Sequence, residues 1–300
     1  EEDGRLDLLY SRGLSNGVEL ELLEKTELSK YEPLAITHQR FLWSPNTAIS
    51  DPRAVIKAMV SKFEGLGGKL SYGQRIEFQR TQDGVSAKKI RAKYVINSAG
   101  AQSDRLAEEL GLAKRYAMVP FMGVYRAVSS DYLPLKRLVY PVPHPINPFL
   151  GVHFTLTLDG KVKIGPTAIP IIGREQYSLF EGWSLSDIGQ AITATKALIQ
   201  GQSHQFGEIL KSELPKLRER SLVRESALLV PGAMSIRKWQ KKPPGIRSQL
   251  VDIKTGKLEQ DFIVENFENS THILNAVSPG WTSAIPFGRW VAEEKVLPNL

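Results

Sequence analysis

The stretch KYVINSAGAQSDRLAEELG, residues 93–111, constrains the fold more than any other part of the sequence. Val95 and Ile96 are a β-branched pair suited to a buried strand. Ser98-Ala99-Gly100 is a turn of small residues where another group can approach the backbone closely. Ser103 or Asp104 can cap the helix that Gly111 ends. Strand, small-residue turn and helix in that order make a βα crossing, whose amides commonly face a phosphate or pyrophosphate. No G-x-G-x-x-G precedes it, and GLGG at 65–68 closes a helix and lacks the spacing.

Around that crossing the pattern is mixed. Helices are predicted over 3–16, from Thr26 to Glu32-Pro33, and from Asp51-Pro52 to Gly67-Gly68, the last with Val55, Met59, Val60 and Phe63 inward. Strands are predicted at 18–23, 69–72, 75–80 and 85–91, with Asp83-Gly84 as a hairpin turn. Further strands at 122–128, 150–157 and 161–165 are interrupted by the proline-rich YPVPHPINP at 140–148. Helices at 186–200 and 205–220 follow, then strands near 248–253, 261–264 and HILNAV, and a last helix over 281–294. The tryptophans read as core. The class is α/β or α+β, with two interleaved domains.

Composition narrows the function. With 42% hydrophobic and 24% charged residues the chain is an ordinary globular one, and no apolar run reaches the ~20 residues that span a bilayer. Zero cysteines exclude disulfides, thiolate metal sites and a cysteine nucleophile, and no two histidines have metal-ligand spacing. Between Lys216 and Arg247, nine basic residues (Lys216, Arg218, Arg220, Arg224, Arg237, Lys238, Lys241, Lys242 and Arg247) stand against two acidic ones, Glu219 and Glu225, an excess equal to the whole net charge of +7. Such a segment is a solvated face, a steering field for an anionic substrate, or a contact with an acidic membrane surface. Trp239 is its only aromatic and no recognition motif accompanies it, which argues against nucleic acid.

Taken together, YVINSAGAQSDRLAEELG, VPFMGVYRAV, LVYPVPHPINPFLGVHFTLTLDGKVKIGPTAI, GIRSQL and HILNAVSPGWTSAIPFG resemble the L-2-hydroxyglutarate oxidase/dehydrogenase branch of the FAD-dependent glycine oxidase and D-amino-acid oxidase superfamily. The S-A-G turn marks many flavoproteins, whereas YPVPHP…FLGVHFT…DG…GP is particular to this branch. The resemblance implies a Rossmann-like FAD-binding domain (37–115 and 245–300) interleaved with a mixed-sheet substrate domain (1–36 and 116–244). It implies oxidation of L-2-hydroxyglutarate to 2-oxoglutarate, with hydride passing to flavin N5 and electrons onward to oxygen or a membrane quinone. The expected location is the cytoplasm or the periphery of the inner membrane, mitochondrial in a eukaryote. Members begin with a strand, a glycine fingerprint and a helix, and this sequence starts downstream of them. The FAD domain is therefore expected to be N-terminally incomplete, to hold little FAD and to aggregate. Two alternatives stand beside this one: an amine or amino-acid oxidase of the same superfamily, and a non-catalytic fragment that no longer holds flavin.

The resemblance also distributes roles. Arg247 matches a carboxylate-binding arginine, and a planar guanidinium can clamp a carboxylate with two parallel bonds; the other reading is a surface arginine after a proline turn. His153 shares a strand face with Thr155 and Thr157, opposite Leu150, Val152, Phe154 and Leu156. It is either the base that takes the hydroxyl proton or a hydrogen-bonded structural histidine. His38, His144, His204 and His272 show no comparable setting. Tyr125, Arg174 and Tyr177 are candidates for the distal carboxylate of a five-carbon diacid. Ile76 matches a position whose backbone touches adenine, its side chain reading as core, and Ala99 and Gly100 lie on the pyrophosphate side. Ser278-Pro279-Gly280 opens a helix whose amides at Gly280, Trp281, Thr282 and Ser283 face the flavin pyrimidine.

Overall fold

The computed structural model describes residues 2–81, 84–87, 90, 92–143, 149–178, 181–277 and 280–300. In chain order the first elements are α1 (Glu2–Ser15), β1 (Glu21–Glu24), α2 (Leu28–Tyr31), β2 (Arg40–Trp43) and α3 (Pro52–Gly65). Next come β3 (Phe78–Thr81), β4 (Gly84–Ala87), β5 (Val95–Asn97), α4 (Ser103–Glu108), β6 (Tyr116–Ser129), β7 (His153–Leu156), β8 (Lys161–Gly165) and β9 (Ile169–Pro170). The chain ends with α5 (Leu185–Glu213), α6 (Glu219–Ser226), β10 (Gln240–Asp252), β11 (Lys257–Leu258), β12 (Ile263–Phe267), β13 (Ser270–Asn275) and α7 (Gly280–Trp290). His144, Asp83, Ser278 and Pro279, each singled out in the sequence, lie outside the described residues. No helix among the described residues is long and apolar enough to cross a membrane.

The chain divides into two compact units. The first comprises Glu1–Tyr72, Gly123–Thr167 and Lys211–Pro243. Its core forms because β6, β7 and β8 alternate. Val128, Phe154, Val162 and Ile164 are buried on one face, where Val152, Leu222, Val223, Val230 and Trp239 join them in a single cluster. Arg126 also lies on that face, and its Nε donates to Glu219 at 2.9 Å. β7 pairs antiparallel with β8, and β8 with β6. Asp51 caps α3 as predicted, accepting from the Arg53 amide at 2.9 Å. The inward face expected of α3 is corrected: no residue of this helix is buried, and Met59 and Phe63 are each 47% exposed. Periodicity identifies the face that can be buried; it does not supply a covering element.

The second unit comprises Gly73–Met122, Ala168–Leu210 and Pro244–Leu300. β5 runs parallel to β13, which pairs antiparallel with β12. β3 and β4 form an antiparallel hairpin, and no strand forms at 69–77, where two had been predicted in part. The two helices predicted over 186–220 are replaced by the single α5, which stops before Pro215. Gly201 does not break it. A Cβ there would lie 2.1 Å from the Thr255 carbonyl oxygen, so this glycine admits a neighbouring backbone. The tryptophans are corrected too: Trp239 is buried, but Trp183, Trp281 and Trp290 are 42–48% exposed.

Candidate functional site

The polar face of the first unit's sheet gathers Tyr125, His153 and Lys163. Pairing sets the arrangement: His153 stands opposite Gly165, Thr155 opposite Lys163, and Lys163 opposite Ala127. Tyr125 shares the Ala127 face by alternation. The expected split of Val152, Phe154 and Leu156 from His153 and Thr155 is observed, while Leu150 is 40% exposed and precedes the strand. Gly165 is required here. A Cβ at this position would come within 2.9 Å of the Tyr125 ring and 2.6 Å of the Val124 carbonyl oxygen, and its φ is +129°.

His153 is buried and stacks on Tyr140, ring centroids 4.3 Å apart. Its Nδ1 lies 2.8 Å from the Gly151 carbonyl oxygen. A carbonyl can only accept, so Nδ1 carries the proton and Nε2 keeps a lone pair. Burial pushes the imidazole below its ordinary pKa; the Gly151 bond opposes this and Lys163 adds to it. The ring is thus a neutral base at physiological pH. Lys163 Nζ sits 4.5 Å from the Tyr125 ring centroid. Burial, then Lys242, pulls the Lys163 pKa down, and burial, then Tyr140, raises that of Tyr125.

In the second unit the crossing reaches from β5 through Ser98–Gly100 into a short 3-10 turn, Gly100–Gln102, and α4. Ala99 and Gly100 are exposed. Gly100 has φ +56°, with nothing within 4 Å of where a Cβ would stand. Neither Ser103 nor Asp104 caps α4, contrary to expectation. Ser103 Oγ donates to the Leu274 carbonyl at 3.2 Å, and Asp104 turns inward to Arg174. Asn97, also buried, holds the crossing: its Nδ2 donates to the Ser103 carbonyl at 2.8 Å, and its Oδ1 accepts from the Ala99 amide at 3.2 Å.

His272 completes this network, and the sequence did not mark it. Its Nδ1 is 3.2 Å from Asn97 Nδ2, and its Nε2 is 3.0 Å from Ser270 Oγ, which donates to the Phe267 carbonyl. Asn97 Nδ2 can only donate, so His272 is protonated on Nε2 alone, and burial lowers its pKa to about 4. The only signal was HILNAV itself, a strand with a histidine placed where β5 must pair.

The remaining predicted residues also lie in the second unit. Arg174 is buried and bonded to both Asp104 oxygens, the Ala101 carbonyl and Gln190, with its Nη2–Oδ2 contact at 2.8 Å. Arg105 pairs with Asp187 at 2.6 Å beside it. Arg247 is on β10, half-buried rather than on a surface turn, with burial lowering its pKa to about 10. Tyr177 is 60% exposed, and Ile76 is 39% exposed in a loop rather than in the core. Gly280 starts α7, whose Trp281 and Thr282 are exposed, and Ser283 Oγ donates to the Gly280 carbonyl at 3.3 Å. The basic segment is not uniform. Lys216 is buried between Glu213 at 2.9 Å and Glu225 at 3.5 Å, while Arg218, Arg220, Arg224, Arg237, Lys238 and Lys241 are exposed.

The family model for FAD-dependent oxidoreductases (DAO) matches residues 1–294. The chain belongs to that family. It is 32% identical to the L-2-hydroxyglutarate dehydrogenase of Escherichia coli strain K12 over 300 residues, covering 97% of this chain and 69% of the relative. It is also 32% identical to the mitochondrial L-2-hydroxyglutarate dehydrogenase of Mus musculus, covering 98% and 68%. The fold is similar to that of the dithionite-reduced, FAD-bound L-α-glycerophosphate oxidase of Mycoplasma pneumoniae, with a TM-score of 0.65, 21% identity, and 96% and 68% covered. Glycine oxidase from Bacillus cereus gives a TM-score of 0.60 at 13% identity, covering 98% and 71%. The residues present fit a dinucleotide at two points. Gly100 leaves its turn open to close approach, and nothing stands within 4 Å of a Cβ placed on Gly280 at the start of α7.

Proposed function

We propose that this FAD-dependent oxidoreductase oxidises L-2-hydroxyglutarate to 2-oxoglutarate. The observation that carries this reading is the likeness, along nearly the whole chain, to L-2-hydroxyglutarate dehydrogenases of a bacterium and a mammal. Residues 37–115 and 245–300 are assigned to flavin and 1–36 and 116–244 to substrate. Ala99, Gly100 and the backbone at Ile76 would hold the adenosine and pyrophosphate side of FAD, and Gly280, Trp281, Thr282 and Ser283 the pyrimidine side. Bound there, FAD supplies a two-electron hydride acceptor.

The chain's own residues bind and deprotonate. The Arg247 guanidinium clamps the carboxylate beside the hydroxyl and fixes the direction of the α-hydrogen. The bare Nε2 of His153 takes the hydroxyl proton, and the Gly151 carbonyl on Nδ1 fixes the tautomer and steadies the resulting imidazolium. Tyr125 contacts the far end of the substrate. Arg174 and Tyr177 are further candidates for that role, although the Arg174 guanidinium is also committed to Asp104. Oxygen or a membrane quinone takes the electrons, at the cytoplasmic or matrix side of a membrane that the exposed basic residues would approach.

Turnover of L-2-hydroxyglutarate, glycine and sarcosine by the FAD-loaded holoenzyme, followed with an artificial electron acceptor, tests the reading. Oxidation of the hydroxyacid alone is expected. Preference for glycine or sarcosine would move the protein to the amino-acid oxidases.

A further inference from the structure

Lys163 is a cation that makes no ion pair with a carboxylate among the described residues. The groups that act on it are Lys242, His153 and the Tyr125 ring. It is half-buried on a face that also carries two tyrosines. Asp159 is bound to Lys161 at 2.6 Å and also faces the charge of Lys242. A second cation, Lys242, is close enough to disfavour the charge on Lys163. An anion beside Lys163 offsets both its partial burial and the repulsion it feels from Lys242. The sheet fixes where the anion would lie. His153 opposes Gly165, so Lys163, two residues along the same strand, is its diagonal neighbour, about 7–8 Å away between backbones. Across that distance a substrate whose hydroxyl meets His153 Nε2 reaches Lys163 with its second carboxylate, which a monoacid lacks.

We infer that Lys163, held over the Tyr125 ring on the His153 face of the sheet, binds the second carboxylate of a dicarboxylic 2-hydroxyacid and so sets the preference for a diacid over a monoacid. The inference rests on the proposed hydroxyacid reading for the identity of the other end of the ligand. Tyr125 supplies the ring that holds the ammonium in place by cation–π contact. Arg174, bonded to Asp104, then needs no part in recognising the distal carboxylate.

Calorimetric titration of the purified chain with glutarate and with butyrate tests this without turnover, alongside the 13C shift of the Lys163 ε-methylene. Glutarate is expected to bind at least tenfold more tightly than butyrate and to move the Lys163 signal. Lys163→Met should reduce glutarate affinity to the butyrate level and leave butyrate unchanged, with Lys163→Arg retaining part of the preference. Equal affinity for the two acids, an unmoved Lys163 signal, or undiminished glutarate binding by Lys163→Met would each overturn the inference. Glutarate binding through Lys163 in a protein that oxidises no L-2-hydroxyglutarate would overturn the hydroxyglutarate reading and keep the anion site. Oxidation with an unchanged KM in Lys163→Met would do the reverse.

Discussion

The protonation state of His153 follows from two neighbours of opposite effect. Gly151 fixes which nitrogen is bare, and burial with Lys163 keeps that nitrogen unprotonated below the ordinary histidine pKa. If this nitrogen is the base, His153→Ala should slow flavin reduction roughly 10²–10⁴-fold. The native enzyme's acid limb should fall below pH 6.5 and vanish in the variant. A mutant whose soluble fraction reduces flavin normally, with the same limb, would leave His153 a structural residue stacked on Tyr140. Arg247 answers a different test. Its lowered pKa of about 10 still leaves the guanidinium charged at neutral pH, so its distinctive property is the planar fork. Arg247→Lys keeps the charge and loses the fork, and should raise the barrier measured by kcat/KM for L-2-hydroxyglutarate by about 2–4 kcal/mol. An unchanged kcat/KM would remove Arg247 from the site.

Among elements, the crossing of β5 into α4 depends on a histidine that must stay neutral. The unfolded His272 titrates near its ordinary value, the folded one at about 4, so between these values the unfolded chain binds more protons. Stability is therefore full above about pH 6.5 and declines as the pH falls towards 4, by about 3 kcal/mol for this group. His153 slopes the same way, so the comparison that isolates His272 is native against His272→Gln. Urea unfolding between pH 7 and 4 should show the shallower decline in the variant, and identical slopes would contradict the network. Beside it, Asp104→Asn should cost about 3–5 kcal/mol by leaving the buried Arg174 guanidinium half-paired. Much of this architecture was legible. The strand, turn and helix at 93–111 were read from β-branching, small residues and Gly111, although Ile96, expected to be buried with Val95, is 50% exposed, and the faces of β7 were read from alternation. What failed was what local pattern cannot hold. Ser103 and Asp104 looked like caps because capping is a local signal, whereas their actual partners, Leu274 and Arg174, lie 171 and 70 residues away. Lys163 lay in plain alternation as K-V-K-I-G, but that it pairs with no carboxylate among the described residues is visible only in three dimensions.

For the molecule as a whole, net charge and apolar exposure act against each other. A charge of +7 repels a second copy, while Ile56, Met59 and Phe63 on α3, Ile192 and Ile199 on α5, and Trp281 and Ile285 on α7 are each 46–67% exposed. Scattered singly such residues are normal, but clustered along three helices they attract other apolar surfaces. Repulsion between net charges is screened over about 10 Å at 0.1 M salt and about 3 Å at 1 M, while apolar attraction is not weakened by salt. Self-association should therefore increase with protein concentration and again with added sodium chloride, read by light scattering at neutral pH. Met59→Lys with Ile285→Lys should reduce it at every salt concentration, because each change removes an apolar contact and adds a charge. Dissociation on adding salt would show that the contacts between copies are electrostatic, and the exposed helix faces would then not be what drives them.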